Sequence, residues 1–142
     1  MKAIAVMEKK IETQYRQETI IRFEEGLIGF SEHKNFSIME DTNIAPFRVL
    51  QCVNNDQLAF YVLDPTIVMK DYQRLIPERE WEALGMVEGS ARLAFAICII
   101  GSSPADSSGN FQAPILVNYK QMIGRQIILT DSNLSVRQPL LG

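Results

Sequence analysis

The stretch NFQAPILVNYKQMIGRQIILTD, from Asn110 to Asp131, carries the strongest fold signal in the chain. Two apolar segments, APILVN and RQIILTD, are separated by the turn-like segment YKQMIG. This pattern predicts a β-hairpin, because strands bury apolar side chains and turns favour glycine and polar residues. Three amides, Gln112, Asn118 and Gln126, interrupt the pattern. We expect them to satisfy backbone groups at barrel corners and bulges, with direct partner contact as the alternative.

Further strand-like segments precede this hairpin. They are rich in β-branched and aromatic residues and are bounded by turn formers: TIIRF (19–23), FSIM (36–39), PFRVLQCV (46–53), LAFYVLD (58–64) and ARLAFAICII (91–100). The clear helix candidate is PEREWEALG, in which Pro77 fits the first helical position and Gly85 the C-terminal cap. The sequence therefore predicts an all-β fold with one or two short helices. We expect a small antiparallel β-barrel-like single domain, residues 1–130, and a weakly ordered C-terminal tail, residues 131–142.

Composition and charge restrict the class of function. The chain has 142 residues, 46% hydrophobic and 22% charged, which is typical of one globular domain. A net charge of -3 argues against binding nucleic acid, since phosphate contacts need clustered Lys and Arg. Residues 24–88 contain 12 acidic and 5 basic residues, a local net charge of -7. This segment is either a solvated acidic face or a docking surface for a basic protein.

The residues that could carry chemistry are few. The single histidine, His33, has no neighbouring ligand set, and the sequence contains neither a G-x-S-x-G elbow nor a P-loop. We therefore predict no catalytic residue, no metal and no cofactor. Cys52 and Cys98 lie in apolar runs, which predicts buried free thiols in a reducing compartment. The N-terminal MKAIAVMEKK has too short an apolar stretch for a secretory signal, and the apolar run 93–100 is too short for a membrane span. A cytoplasmic protein is expected.

Four blocks together resemble a known family. FEEGLIGF, PFRVLQCV, FYVLDPTIVMKDY and NFQAPILVNYKQMIGRQIIL match, in order and spacing, the flagellar assembly factor family FliW. The resemblance covers roughly Ile20 to Thr130. One departure is Ile28, where the family usually has proline. The resemblance implies a cytoplasmic bacterial protein with an antiparallel β-barrel-like fold and no enzymatic activity.

The resemblance also implies partners. Proteins similar to this one bind the CsrA dimer, a translational repressor of flagellin mRNA, and antagonise it allosterically. They bind flagellin in competition, which couples flagellin translation to secretion. We expect no direct contact with nucleic acid or membrane and a monomer when free. The first alternative is a flagellin-dedicated cytoplasmic chaperone without a regulatory arm, and the second is an unrecognised hydrolase that uses surface carboxylates.

Two sets of residues follow from these blocks. An exposed tyrosine beside a carboxylate offers an amphipathic contact, although Tyr72 could instead cap the core and Asp71 the next turn. The residues predicted to contact a partner are Asp64, Pro65, Asp71, Tyr72, Glu24 and Glu25. The residues predicted to form structural motifs, with Phe30 closing one barrel end, are Gly26, Gly29, Phe30, Pro46, Phe47, Gln51, Gln112, Pro114, Asn118 and Gln126.

Overall fold

The computed structural model describes residues 15–130 and 133–141. Within them, nine strands are formed: β1 (Ile20–Phe23), β2 (Asn35–Glu40), β3 (Arg48–Cys52), β4 (Ala59–Leu63), β5 (Leu93–Ile99), β6 (Ser108–Gly109), β7 (Ile115–Asn118), β8 (Ile123–Gln126) and β9 (Gln138–Pro139). The helix α1 spans Glu78–Ala83. Short 3-10 helices occur at Gln17–Thr19, Thr42–Ile44, Pro65–Ile67, Tyr72–Leu75 and Pro104–Asp106. The N-terminal MKAIAVMEKK lies outside the described residues.

The strands close into a barrel, which confirms the predicted fold. The hydrogen-bonded order is β4-β3-β2-β1-β8-β7-β5, and β4 also pairs with β5, so seven strands form a ring. Strand directions cannot alternate all the way around a ring with an odd number of members. One neighbouring pair has to be parallel, and that pair is β1 and β8. The all-antiparallel expectation is therefore corrected at this one position.

The barrel interior is filled by alternate side chains of its strands, as a sheet with one buried face requires. Phe23 of β1 packs edge-on against Phe36 of β2, with ring centroids 5.7 Å apart. A Cβ on Gly124 of β8 would lie 2.6 Å from the ring of Phe23, so only glycine fits there. The interior core comprises Ile21, Phe23, Leu27, Phe36, Leu50, Cys52, Phe60, Val62, Phe95, Ile97, Ile115 and Val117.

A second core lies on the outer face of β5, β7 and β8. There α1 and the flanking 3-10 segments cover Ala94, Ala96 and Leu116. Trp81 and Leu84 of the predicted helix are both buried in this core, as their i, i+3 spacing predicts. The helix itself begins after Pro77, which occupies the N-cap position rather than the first helical turn. Among the described residues, no helix is long and apolar enough to cross a membrane.

The C-terminal residues extend the sheet beyond the expected domain boundary at residue 130. Strand β9 pairs with β6, which in turn pairs with β5. Leu134 and Leu140 pack against the second core. The described part of the expected tail, residues 133–141, therefore belongs to the domain, and its apolar side chains explain why. Residues 131, 132 and 142 of that tail lie outside the described residues.

The predicted hairpin is present with a shifted turn. β7 and β8 pair from Ile115 with Gln126 to Asn118 with Ile123, so residues 119–122 form the turn. Met122 allows the chain to reverse there, with a φ of 55°. The return strand starts two residues earlier than the segment RQIILTD suggests. Gly124 resembles a turn residue in sequence but serves the strand, because it makes room for Phe23.

Candidate partner-binding site

The residues predicted to contact a partner lie at opposite ends of the barrel. β1 is antiparallel to β2, β2 to β3, and β3 to β4, so β1 and β4 run in opposite directions. Glu24 and Glu25 follow β1, whereas Asp64 and Pro65 follow β4. We call these the Glu24 end and the Asp64 end. The structure therefore does not bring the predicted residues together into one surface.

At the Asp64 end, Asp64 is the N-cap of the 3-10 helix Pro65–Ile67. Its Oδ1 accepts hydrogen bonds from Thr66 N at 3.0 Å and Thr66 Oγ1 at 2.7 Å. Capping by aspartate is expected where backbone N–H groups at a helix start have no partner. Pro65, the first residue of this helix, is buried. The prediction that Pro65 contacts a partner is therefore wrong, because its ring is covered by the fold.

Tyr72 is also buried, with 0% of its surface exposed. Its hydroxyl donates a hydrogen bond to Phe111 O, and its ring packs edge-on against Phe111 at 5.4 Å. Burial raises the pKa of Tyr72 well above its usual value, so the hydroxyl stays protonated. The prediction that Tyr72 contacts a partner is wrong, since the second core takes up the whole side chain. Asp71, in contrast, is exposed, and its carboxylate makes no cap hydrogen bond.

At the Glu24 end, Glu24 and Glu25 are exposed at the start of a tight turn. Gly26 has a φ of 68°, and a Cβ there would lie 2.7 Å from Phe30 O, so the turn requires glycine. The turn predicted from Gly26 and Gly29 is present. Phe30 packs edge-on against Phe60 of the interior core at 5.3 Å, so it covers this end of the barrel.

Two buried amides hold turns in place. Gln51 Nε2 lies 3.2 Å from both Asn55 O and Leu58 O, in the turn between β3 and β4. Asn118 Nδ2 donates to Leu84 O at 2.7 Å, and its Oδ1 accepts from Lys120 N at 3.0 Å. Buried polar groups need such partners, because an unpaired one loses its hydration without compensation. Asn118 thereby ties the end of α1 to the turn of the hairpin.

Gln112, Pro114 and Gln126 connect the segment before β7 to the segment after β8. Gln126 Nε2 donates to Ala113 O at 2.9 Å. Beyond β8, Pro114 O accepts from Ile127 N at 3.0 Å and Gln112 O accepts from Leu129 N at 2.8 Å. Gln112 therefore joins these two segments through its backbone carbonyl and not through its side-chain amide. These bonds continue the hairpin pairing past the last strand residue.

A groove that sequence reasoning missed begins at the Asp64 end. Two adjoining cavities, of about 370 and 310 Å³, are both lined by Pro46, Phe47 and Ile67, and we call them together the Phe47 groove. Pro46 is exposed, and Phe47 is half-buried with its ring edge-on to Tyr61 at 6.3 Å. The larger cavity is mainly apolar, and the smaller one carries acidic side chains. Ligand sites are commonly concave and apolar with a few polar groups.

Three exposed apolar side chains border or line the larger cavity. Ile67 is 58% exposed, Ile100 41% and Leu141 59%. Each comes from an apolar run that is typical of core sequence, and the runs are far apart along the chain. No local periodicity distinguishes these side chains from buried ones, so only the folded arrangement reveals them.

The described residues include few groups that could bind a metal or act as a nucleophile. Within residues 15–130 and 133–141, no group of three or more His, Cys, Asp or Glu is placed to hold a metal ion. His33 is half-buried in the turn after Phe30. Cys52 and Cys98 are buried free thiols, as predicted. Burial raises the pKa of Cys98 to about 12, so this thiol is protonated and a poor nucleophile.

Comparison with known proteins places the chain in a family. The family described as FliW protein matches residues 6–140. A flagellar assembly factor FliW from Leptospira interrogans is 36% identical over 90% of this chain and 86% of its own length. One from Bacillus licheniformis is 37% identical over 92% of both chains. A crystal structure of the flagellar assembly factor FliW superposes with a TM-score of 0.82 and 28% identity, covering 92% of this chain and 91% of that one. The chain therefore belongs to the FliW family.

Proposed function

We propose that the protein is a cytoplasmic flagellar assembly factor that acts by binding other proteins. In this proposal it binds the CsrA dimer and antagonises it allosterically, and it binds flagellin in competition. Flagellin translation is thereby coupled to flagellin secretion. The observation that carries the proposal is family membership, since relatives named as flagellar assembly factors match about nine tenths of the chain.

Charge supports a protein partner over a nucleic acid. Residues 24–88 have a net charge of -7, and the exposed acids Glu24, Glu25 and Asp71 contribute to it. Such a field attracts a basic protein and repels phosphate. In this proposal the protein is a monomer when free, needs no cofactor and catalyses no reaction.

The direct test is copurification of the full-length protein with CsrA and with flagellin from the same organism. We expect a complex with each partner alone, and displacement of CsrA when flagellin is added. Binding to CsrA should weaken as salt rises, because exposed charges are screened over about 8 Å at physiological ionic strength. Absence of a complex with either partner at low salt would refute the proposal.

A second candidate is a flagellin-dedicated chaperone without a regulatory arm. The Phe47 groove favours it, because a chaperone also needs exposed apolar surface. The two candidates differ in one measurement, the translation of a CsrA-repressed flagellin reporter after the protein is added. Relief of repression supports the regulator. Unchanged repression together with flagellin binding supports the chaperone.

A further inference from the structure

We infer that the Phe47 groove binds a peptide segment in which apolar side chains lie beside a lysine or arginine. The inference deepens the proposed function, because it assumes that the partner is a protein. It rests on three features of the groove: its apolar cavity, its acidic cavity and the residues that join them.

The apolar cavity is suited to aliphatic or aromatic side chains. Phe47 and Leu63 lie along it, and Ile67, Ile100 and Leu141 stand exposed around it. Single exposed apolar residues are common on protein surfaces, but a concave cluster of them marks a binding surface. A ligand that covers these side chains removes apolar area from water, which is the main favourable contribution to such association.

The acidic cavity is suited to a cation. Glu40, Asp41 and Asp64 line it. Asp41 Oδ1 accepts a hydrogen bond from Asn43 N at 2.9 Å, as Asp64 Oδ1 does from Thr66 N. These hydrogen bonds hold each carboxylate through Oδ1.

Within residues 15–130 and 133–141, no salt bridge neutralises Asp41 or Asp64 in this cavity. Among the described residues that line the groove, Arg48 is the one basic residue. Its guanidinium is engaged by Glu40, with Nη2 3.2 Å from Oε2, and it stacks over Phe95 at 5.6 Å. In the part of the chain that the structure describes, Asp41 and Asp64 therefore remain as two negative charges without a basic partner. A lysine or arginine supplied by a partner would complement them.

The two cavities adjoin, so one peptide can occupy both. Pro46, Phe47 and Ile67 line both, so a peptide that leaves the apolar cavity along these residues enters the acidic one. A nucleic acid does not fit, since Asp41 and Asp64 would face its phosphates. A second copy of this chain is the remaining occupant, and the experiment separates it from a peptide.

The experiment is selection of random peptides of about 12 residues, displayed on phage, against the immobilised full-length protein. Extended peptides of this length span up to about 40 Å, more than enough for both cavities. We expect enriched peptides to carry two or more large apolar residues beside a lysine or arginine. Synthetic copies should bind the Ile67→Glu variant at least tenfold more weakly than the wild type.

The matched control is Ile128→Glu. Ile128 is also 58% exposed but lines neither cavity, so this variant should bind as the wild type does. The double variant Asp41→Asn, Asp64→Asn keeps both capping acceptors and removes both charges. It should bind the basic peptides at least tenfold more weakly, while neutral analogues lose little.

Several results would overturn the inference. These are no enrichment, enrichment of acidic peptides, or equal binding by the two isoleucine variants. Analytical ultracentrifugation gives a fourth such result. If the wild type is a dimer and Ile67→Glu is a monomer, the groove binds a second copy of this chain. The proposed function fails separately, if neither full-length CsrA nor flagellin binds the wild-type protein. If CsrA and flagellin bind the wild type and the groove variants equally well, only the inference about the groove is defeated.

Discussion

Gln126 Oε1 accepts a hydrogen bond from the backbone N–H of Ile28 at 2.8 Å. The two residues come from the turn after β1 and from the end of β8. The same amide donates to Ala113 O, so one side chain links three segments of the chain. The Glu24 end is thereby held to the hairpin by a bond that no strand pairing supplies.

This link predicts a specific loss of stability. The Gln126→Leu variant keeps the side-chain size but leaves Ile28 N and Ala113 O without their partner. We expect the free energy of unfolding to fall by about 1 to 3 kcal/mol, because two hydrogen bonds are lost and each contributes about 0.5 to 1.5 kcal/mol. Urea denaturation measures it. Gln57→Leu, at an exposed position, is the control and should change stability by less than about 0.5 kcal/mol. Equal stabilities of the two variants would contradict the prediction.

The burial of Tyr72 predicts that its hydroxyl serves stability and not partner binding. Tyr72→Phe removes the hydrogen bond to Phe111 O while keeping the packed ring. The free energy of unfolding should fall by about 1 to 2 kcal/mol. Calorimetric affinity for CsrA or flagellin should be unchanged. Tyr61→Phe is the control. It should change the free energy of unfolding by less than Tyr72→Phe does, because the half-buried Tyr61 ring keeps its packing on Phe47. A large loss of affinity with normal stability would restore Tyr72 as a contact residue.

The buried thiol of Cys98 predicts a decline of stability in alkali. The pKa of Cys98 is raised to about 12 in the folded protein, while the pKa of the unfolded thiol is about 8.5. The folded state therefore retains the proton, and stability falls as pH rises from about 8.5 towards 12. The slope from this group is at most about 1.4 kcal/mol per pH unit. The Cys98→Ala variant should show a shallower decline in urea denaturation measured across this range. An unchanged slope would show that Cys98 does not contribute.

The exposed carboxylate of Asp71 predicts an effect on association. Asp71→Lys should slow the association rate with CsrA, because complementary charge mainly accelerates encounter. The free energy of unfolding should change by no more than about 0.5 kcal/mol, since the side chain makes no cap hydrogen bond. Stopped-flow fluorescence at low and high salt measures the rate. Glu32→Lys, an exposed change of the same sign at the Glu24 end, is the control. Unfolding of the Asp71 variant would instead identify a structural cap.

Much of the barrel could be predicted because its signals are local. The apolar runs, the turn at Gly26 and Gly29 and the hairpin from Ile115 to Gln126 each depend on neighbours in sequence. The errors came from contacts between distant residues. Gly124 resembled a turn residue because nothing nearby shows that Phe23 needs its space. The N–H of Ile28 makes its hydrogen bond to Gln126, which lies 98 residues further along the chain.

The candidate site was harder to predict for the same reason. Tyr72 follows an exposed acid, and its position over Phe111 depends on how the second core folds. The Phe47 groove combines residues near positions 46, 67, 100 and 141, which no sequence pattern connects. Exposed and buried isoleucines look alike in an apolar run. Only the amides gave a usable signal, since polar side chains in strands have to find partners.

The parallel pairing of β1 with β8 has a consequence for synthesis. β1 is synthesised before every other described strand, but its second neighbour begins only at Ile123. Until β8 is synthesised, β1 therefore has one unpaired edge, which can pair with a strand of another chain. Ring closure between such distant segments also raises the contact order, which slows folding relative to a chain of local hairpins.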